Sequence, residues 1–564
     1  MRLLVLMFLI GAIGLSMFSC DDFLDVSPRG ELSEKTFEIS EEGVEGVIIG
    51  VYSLLNGQYN QITNAHRSSP SNWVYGDVVS DDAYKGSSGI SDGSDVHQLE
   101  VFAAAANNQG ALIKWEACYE GVSRANTAIN VILNFQGWGE EMRNTRLAEV
   151  RVLRGHYYFE LKKIYNHIPY INELTSPEAM KTISNRDFTS EQLWDLIEED
   201  FQFATQYLPA VQENVGRVTS VTAWAYLAKT HLYQQEWTQA NEAIDRVLAE
   251  PGNHYLLDNF EEVFLQKLNN QGNEFCPECL FAVQHSLDPS LPSSTPDVGS
   301  TYGWDGNVGD RLSGLGGPYP RVYGFHTPSQ NLVNSYKTTE SGLPASTNML
   351  RDNDFVDPRL DHTVGRPGIP FFNAGIYSEN WTRGVSTYGP YAGKKQLYPV
   401  NSETVINIPY YTNSENYCII RLADLYLMKA ECMIELGDLE TARQYINQVR
   451  DRAKNGGYVV HQDGSKAANY KVEPYASAWN SKEEALQAVR LERRLELAME
   501  GHRFFDLVRW GVAAEVMNAY IDKEKALRTY LNNANFQAGK HEYFPIPDVE
   551  IAISQGVLIQ NNGY

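Results

Sequence analysis

The chain has 564 residues, 43% of them apolar, with a formal net charge of −25. That length and apolar content allow a large buried core, while so strong an acid excess argues against nucleic acid or anionic lipid as partners, because both would be repelled. Six cysteines are too few for a disulfide framework.

Residues 1–19 read as a secretory signal peptide. Arg2 supplies positive charge, Leu3 to Phe18 is an uncharged apolar run, and small Ser19 precedes Cys20. The run is shorter than the ~20 residues of a spanning helix, and acid follows it at Asp21 and Asp22. A cysteine at the cleavage edge is where a bacterial lipoprotein is acylated. Cys20 is therefore the expected lipidation (palmitate) site, and residues 20–564 the expected mature domain, tethered outside the cytoplasm.

Helical patterning begins within 32–55, where Val44, Val47, Ile48 and Val51 share one face. Residues 56–98 read as a long polar loop region. Helical periodicity returns at 111–133, 145–166 and 190–207, with Pro169 and Pro209 just beyond the last two. Two later segments resemble each other at one constant offset: Ala228/Ala430, Trp237/Leu439, Ala240/Ala442, Ile244/Ile446 and Val247/Val449. Each reads as a helix, a short turn and a second helix, with small alanines at the crossing, as in tetratricopeptide hairpins.

Between these copies, residues 270–415 are rich in Gly, Pro, Ser, Asn and Tyr and lack a helical period. Loop regions of that length are usually functional. Residues 481–511 are again helical in pattern, ending near Gly511, and a short helix is expected from Asp548. The expected fold is mostly α: tetratricopeptide-like hairpins form a scaffold (32–265 and 416–564), and a loop-rich insertion (about 270–415) supplies a ligand-binding face. Cys276 and Cys279 form a lone CxxC, read as a small local disulfide or two free thiols. Cys418 and Cys432 fall in an apolar helical pattern and read as core.

Several motifs together resemble one family, the SusD/RagB-like nutrient-binding lipoproteins of the Bacteroidetes outer membrane. They are Cys20 to Asp25, Leu153-Arg154-Gly155-His156-Tyr157-Tyr158-Phe159 (Gly155 replacing a usual Ala), Gly216 to Thr219 and Ala223 to Ala228. They continue with Arg421 to Glu431, Glu492 to Leu497, Glu500 to Leu507, and Tyr543 to Pro547. The resemblance implies a non-catalytic protein without cofactor on the outer face of the outer membrane, working with a SusC-like TonB-dependent transporter. It implies an oligosaccharide or polysaccharide ligand, or a peptide in some members. A helical-repeat scaffold that binds a protein and no nutrient is a further reading. No HExxH or P-loop sequence competes with a binding role.

Glycan recognition uses flat rings against sugar CH faces and planar polar groups for paired hydroxyls. Two loop sets offer that mixture. The first is Trp73, Tyr75, Asp77, Asp81, Asp82 and Tyr84, with Lys85. The second is Tyr302, Trp304, Asp305, Asn307 and Arg311, with Tyr319, Arg321 and Tyr323 behind. Trp381, Arg383, Tyr388 and Tyr391 form a third, weaker set. Charges in 492–503 read as pairs three and four apart on a surface or at a helix junction.

Overall fold

Helix starts follow the capping residues of the sequence. Ser40 and Asn108 accept backbone hydrogens from Gly43 and Ala111, and Thr189 and Thr219 form capping boxes with Gln192 and Thr222. The helices so begun are α1 (Glu41–Tyr52), α2 (Gln109–Asn134), α4 (Ser190–Tyr207) and α5 (Ser220–Tyr233), joined by α3 (Glu140–Tyr165) and α6 (Trp237–Ala249). This is a computed structural model describing residues 40–59, 65–250, 254–265, 276–285, 307, 309–310, 313–319, 323–346, 348–402, 405–406 and 412–564. The signal peptide, Cys20, Tyr302, Trp304, Asp305, Arg311 and Arg321 lie outside the described residues.

Helices α2 to α6 pack each on the next. The second half contributes α7 (Leu422–Leu436), α8 (Leu439–Asn455), α9 (Lys482–Leu497), α10 (Arg503–Arg509), α11 (Ala513–Glu524) and α12 (Asp548–Ile553). The paired segments are two helical hairpins, α5–α6 and α7–α8, stacked through α6 and α7. Their crossing alanines, Ala228, Ala240, Ala430 and Ala442, are fully buried, so the backbones approach closely. One hydrophobic cluster runs from Val44 to Leu558. The longer strands are β1 (Ala83–Gly86), β2 (Cys279–Val283), β3 (Phe325–Pro328) and β4 (Tyr417–Arg421), with β1 antiparallel to β3 and β2 antiparallel to β4.

Four expectations change. Residues 56–98 are not a loop region: Trp73–Val78 is a π-helical turn, β1 follows, and every residue from Ser71 to Ser87 is buried. The helical pattern of 481–511 breaks between α9 and α10, where Met499 and Gly501 take positive φ (65° and 75°). Close approach explains the glycine, since a Cβ on Gly501 would lie 1.9 Å from the Ser71 carbonyl oxygen.

The third change concerns the charges of 492–503, which are buried and paired between elements. Arg421 meets Glu278 at 2.7 Å, Glu496 at 2.6 Å and Glu500 at 2.8 Å. Arg452 also binds Glu278 and Glu496, and Arg359 joins Asp357, Glu492 and Glu496. Arg493 bridges Asp424 and Asp506. Pairs so enclosed tolerate no missing partner, because a lone buried ion costs several kcal/mol. Fourth, Cys279 is disulfide-bonded to Cys418, which lies on β4 and not in a helix. Cys276 and Cys432 are buried free thiols.

Candidate functional site

The β1–β3 ladder stops at the pair Gly86 and Phe325, where β1 ends and β3 begins, and the chain after the one and before the other lies in loops. The Ser87 amide donates to the Gly324 carbonyl at 2.5 Å. Gly384 approaches from a third loop: its φ is +60°, and a Cβ there would lie 2.3 Å from the Ser87 carbonyl oxygen. Three segments, 86–93, 314–319 with 323–324, and 377–391, thus meet at one place on the surface.

Lys85 organises the first of them. Its buried ammonium donates to the carbonyls of Gly86 and Gly89, each at 2.9 Å, and to that of Asp92. It also lies 5.2 Å from the ring centres of both Phe325 and Tyr388. Burial lowers the Lys85 pKa, opposed by the charges of Glu100, Asp92 and Asp95. Asp92 itself is half-buried, and burial opposes its ionised form. Hydroxyl bonds from Ser87 and Ser88, with the charges of Lys85 and Arg383, outweigh that and hold it below the usual carboxylate range.

Trp381 supplies the ring. It is half-buried, backed by Tyr377 at 5.4 Å and Phe371 at 6.2 Å between ring centres. The Gly316 amide donates to its carbonyl at 2.8 Å, and a Cβ on Gly317 would lie 2.5 Å from its indole. The indole is thus fixed from behind and beside, with part of it open to solvent. Arg383 is exposed next to it, and Tyr323 is half-exposed on the middle loop. A held ring, a guanidinium and an ionised carboxylate on converging loops suit a neutral, hydroxyl-rich ligand.

The first predicted set does not contribute to this surface. Trp73, Tyr75, Asp77, Asp81, Asp82 and Tyr84 are each at most 3% exposed. The Trp73 ring packs against Phe325 and His326. The Tyr75 hydroxyl donates to the carbonyl of Gly110 at 2.8 Å. Asp77 accepts from His326 at 3.0 Å and from the Gly501 amide at 2.9 Å, while burial raises its pKa to about 6. Asp81 is pulled down to about 2, because Arg494 and Arg503 outweigh its burial. Asp82 pairs with Arg494 at 2.7 Å, and the Tyr84 hydroxyl accepts from the Gln330 amide at 3.0 Å. These rings and acids are occupied in the core.

Of the second set, Asn307 is buried and pairs its amide with the Asn413 carbonyl at 2.8 Å. Tyr319 is buried and donates to the Tyr398 carbonyl at 2.9 Å. Tyr388 is buried, and Tyr391 is half-buried and bound to Gln330. Among the described residues, Trp381 and Arg383 from the weaker third set, with Tyr323 from the second, are the members the fold presents at this junction.

Two other features stand outside these sets. Gly89-Ile90-Ser91-Asp92-Gly93 has the GxSxG spacing of a hydrolase elbow. Ser91 is exposed, however, and among the described residues no histidine is hydrogen-bonded to it. A separate concavity of about 480 Å³ combines Tyr119 with Glu116 and Glu550. Tyr119 and Glu116 sit on α2 and Glu550 on α12, where the sequence shows only a helical pattern. Metal-compatible groupings among the described residues are Glu198, His231 and Glu236, and the three cysteines 276, 279 and 418.

Comparison with known proteins covers most of the chain. Residues 293–564 match the family model described as SusD family, and residues 22–232 match one described as starch-binding associating with outer membrane. SusD-like protein P25 of Formosa agariphila is 25% identical over 97% of both chains. A solved laminarin binding SusD-like protein superposes with a TM-score of 0.68 at 24% identity, covering 93% of this chain and all of that one. Surface glycan-binding protein A from Bacteroides thetaiotaomicron, in complex with laminarihexaose, gives a TM-score of 0.67 at 22% identity, over 93% and 99%. The helical hairpins, the ordered motifs and the matches to both halves of the sequence agree: the chain belongs to the SusD/RagB-like family.

Proposed function

We propose that this protein is a non-catalytic, lipid-anchored outer-membrane protein that binds an oligosaccharide or polysaccharide and delivers it to a SusC-like TonB-dependent transporter. The observation that carries the reading is the loop junction around Trp381, in a fold whose solved relatives include laminarin and laminarihexaose binders. Trp381 stacks on a sugar face, and Arg383 and Asp92 take its hydroxyls. The lipid is attached at Cys20, facing the extracellular side.

The test is native affinity electrophoresis of the purified protein, with Cys20 replaced, through gels containing laminarin and a panel of plant, host and microbial polysaccharides. One glycan should retard the protein, and Trp381→Ala should remove most of that retardation. Retardation that survives Trp381→Ala but is lost in Tyr119→Ala would move the site to the helical concavity. Unchanged migration on every gel would reject the glycan and bring peptide capture forward.

A further inference from the structure

Three sulfurs at the base of the loop-rich segment have no part in ligand binding as described above. Cys279 on β2 is bonded to Cys418 on β4, with the two Cα atoms 5.6 Å apart. The bond closes the ends of the stretch 280–417, which carries Tyr323, Trp381 and Arg383. Cys276 completes the group. The Cys279 amide donates to its carbonyl at 2.9 Å, so the CxxC folds back as a tight turn. That turn places all three sulfurs within 4.8 Å of one another. Cys276 and Cys279 also line a cavity of about 290 Å³, bounded opposite by the chain from Ala210 to Arg217.

We propose that Cys276, Cys279 and Cys418 form a thiol–disulfide exchange site, in which Cys276 displaces Cys418 from Cys279. Cys276 loses its proton and its sulfur attacks Sγ of Cys279. A Cys276–Cys279 bond forms as the Cys279–Cys418 bond breaks. The electron pair leaves on the Cys418 sulfur, which then takes up a proton. One disulfide and one thiol are present before and after, so no oxidant or reductant is consumed. The exchange replaces a link between residues 139 apart with one inside a four-residue turn. It unclasps the base of the loop-rich segment.

The surroundings set the rate. Burial pushes the Cys276 thiol up to about 11, Glu278 acts in the same direction, and Arg421 on β4 opposes them. Arg452 on α8 neutralises Glu278, and Arg217 and His254 face the same cavity. Only a small fraction of Cys276 is thiolate at neutral pH. Exchange should therefore speed up about tenfold per pH unit until the thiol ionises.

Differential alkylation with peptide mapping tests this on the purified protein with Cys20 replaced. The protein is held at pH 6 to 9 without added thiol, quenched in acid, denatured and alkylated. The expected result is alkylated Cys276 in some molecules and alkylated Cys418 in others, the second appearing faster as pH rises. In Cys276→Ser, Cys418 should stay protected, and in Cys418→Ser treated with oxidised glutathione a Cys276–Cys279 disulfide should form, the oxidant taking the two electrons and two protons. Cys418 protected at every pH in the unaltered protein would overturn the proposal. So would Cys418 labelling that persists in Cys276→Ser, since the bond would then be opening without its neighbour.

Discussion

At the scale of single residues, the buried arginines organise the interior. Arg421 holds three carboxylates, and each is 5% exposed or less. Burial alone would raise the Glu496 and Glu500 carboxyls. Arg452, Arg421 and neighbouring cations reverse that for Glu496, Arg421 and Lys395 for Glu500, and both stay below the ordinary value of 4.5. A carboxylate depressed in the folded state adds stability that is present above its unfolded pKa and lost as pH falls toward the folded one. Arg421→Met removes the cation these three acids share and should cost about 3–5 kcal/mol at pH 7. The deficit should shrink as pH falls from 7 toward 4, because burial, less opposed, lets the orphaned acids take up protons above their ordinary value. Denaturant midpoints of both proteins at pH 7 and pH 4 check this, and a deficit that is equal at the two pH values would show that the cost is packing alone. The same chemistry explains what the sequence concealed. Asp81 and Asp82 look like loop acids because Arg494 and Arg503, which enclose them, lie more than 400 residues away. Trp381 was visible as an aromatic in a loop, but nothing local distinguished it from Trp73, which the fold buries.

At the scale of elements, the hairpins were legible because helix periodicity and small crossing residues are local signals. Their turns differ at equivalent positions. Gly437 ends α7 in the left-handed region with φ of 92°, its missing Cβ facing open space. Gln235 stands at the matching position of the first hairpin with φ of 62°, and its side chain is exposed. The next residues also diverge. Asp438 caps α8 by accepting from the Thr441 amide, whereas Glu236 turns its carboxylate to His231 at 2.6 Å. A left-handed conformation costs a side-chain-bearing residue about 1–2 kcal/mol, partly offset by the greater freedom glycine loses on folding. Gln235→Gly should thus stabilise the protein by about 0.5–1 kcal/mol. A higher denaturant midpoint is the expected result. An unchanged or lower one would mean that the Gln235 side chain makes a contact worth as much as the strain. The break between α9 and α10 was not legible, because the close approach of Gly501 to Ser71 is a tertiary event.

At the scale of the whole molecule, a net charge of −25 has to be reconciled with a place on a membrane. Anionic surfaces repel such a protein, so charge cannot hold it there. Among the described residues no helix is long and apolar enough to cross a bilayer. In the proposed arrangement, attachment rests on acyl chains at Cys20, each buried methylene contributing about 0.8 kcal/mol. Acidity and lipid then have complementary roles, one preventing adhesion and the other supplying retention. Two measurements on fractionated cells separate this from attachment through a transporter or through ions. The unaltered protein should stay with the outer membrane through a 1 M salt wash, because hydrocarbon burial is insensitive to screening. Cys20→Ala should appear in the soluble fraction at all salt concentrations. Release of the unaltered protein by salt would point to an ionic attachment. Retention of the Cys20→Ala protein in cells lacking the transporter would show that neither the lipid nor that partner is what holds it.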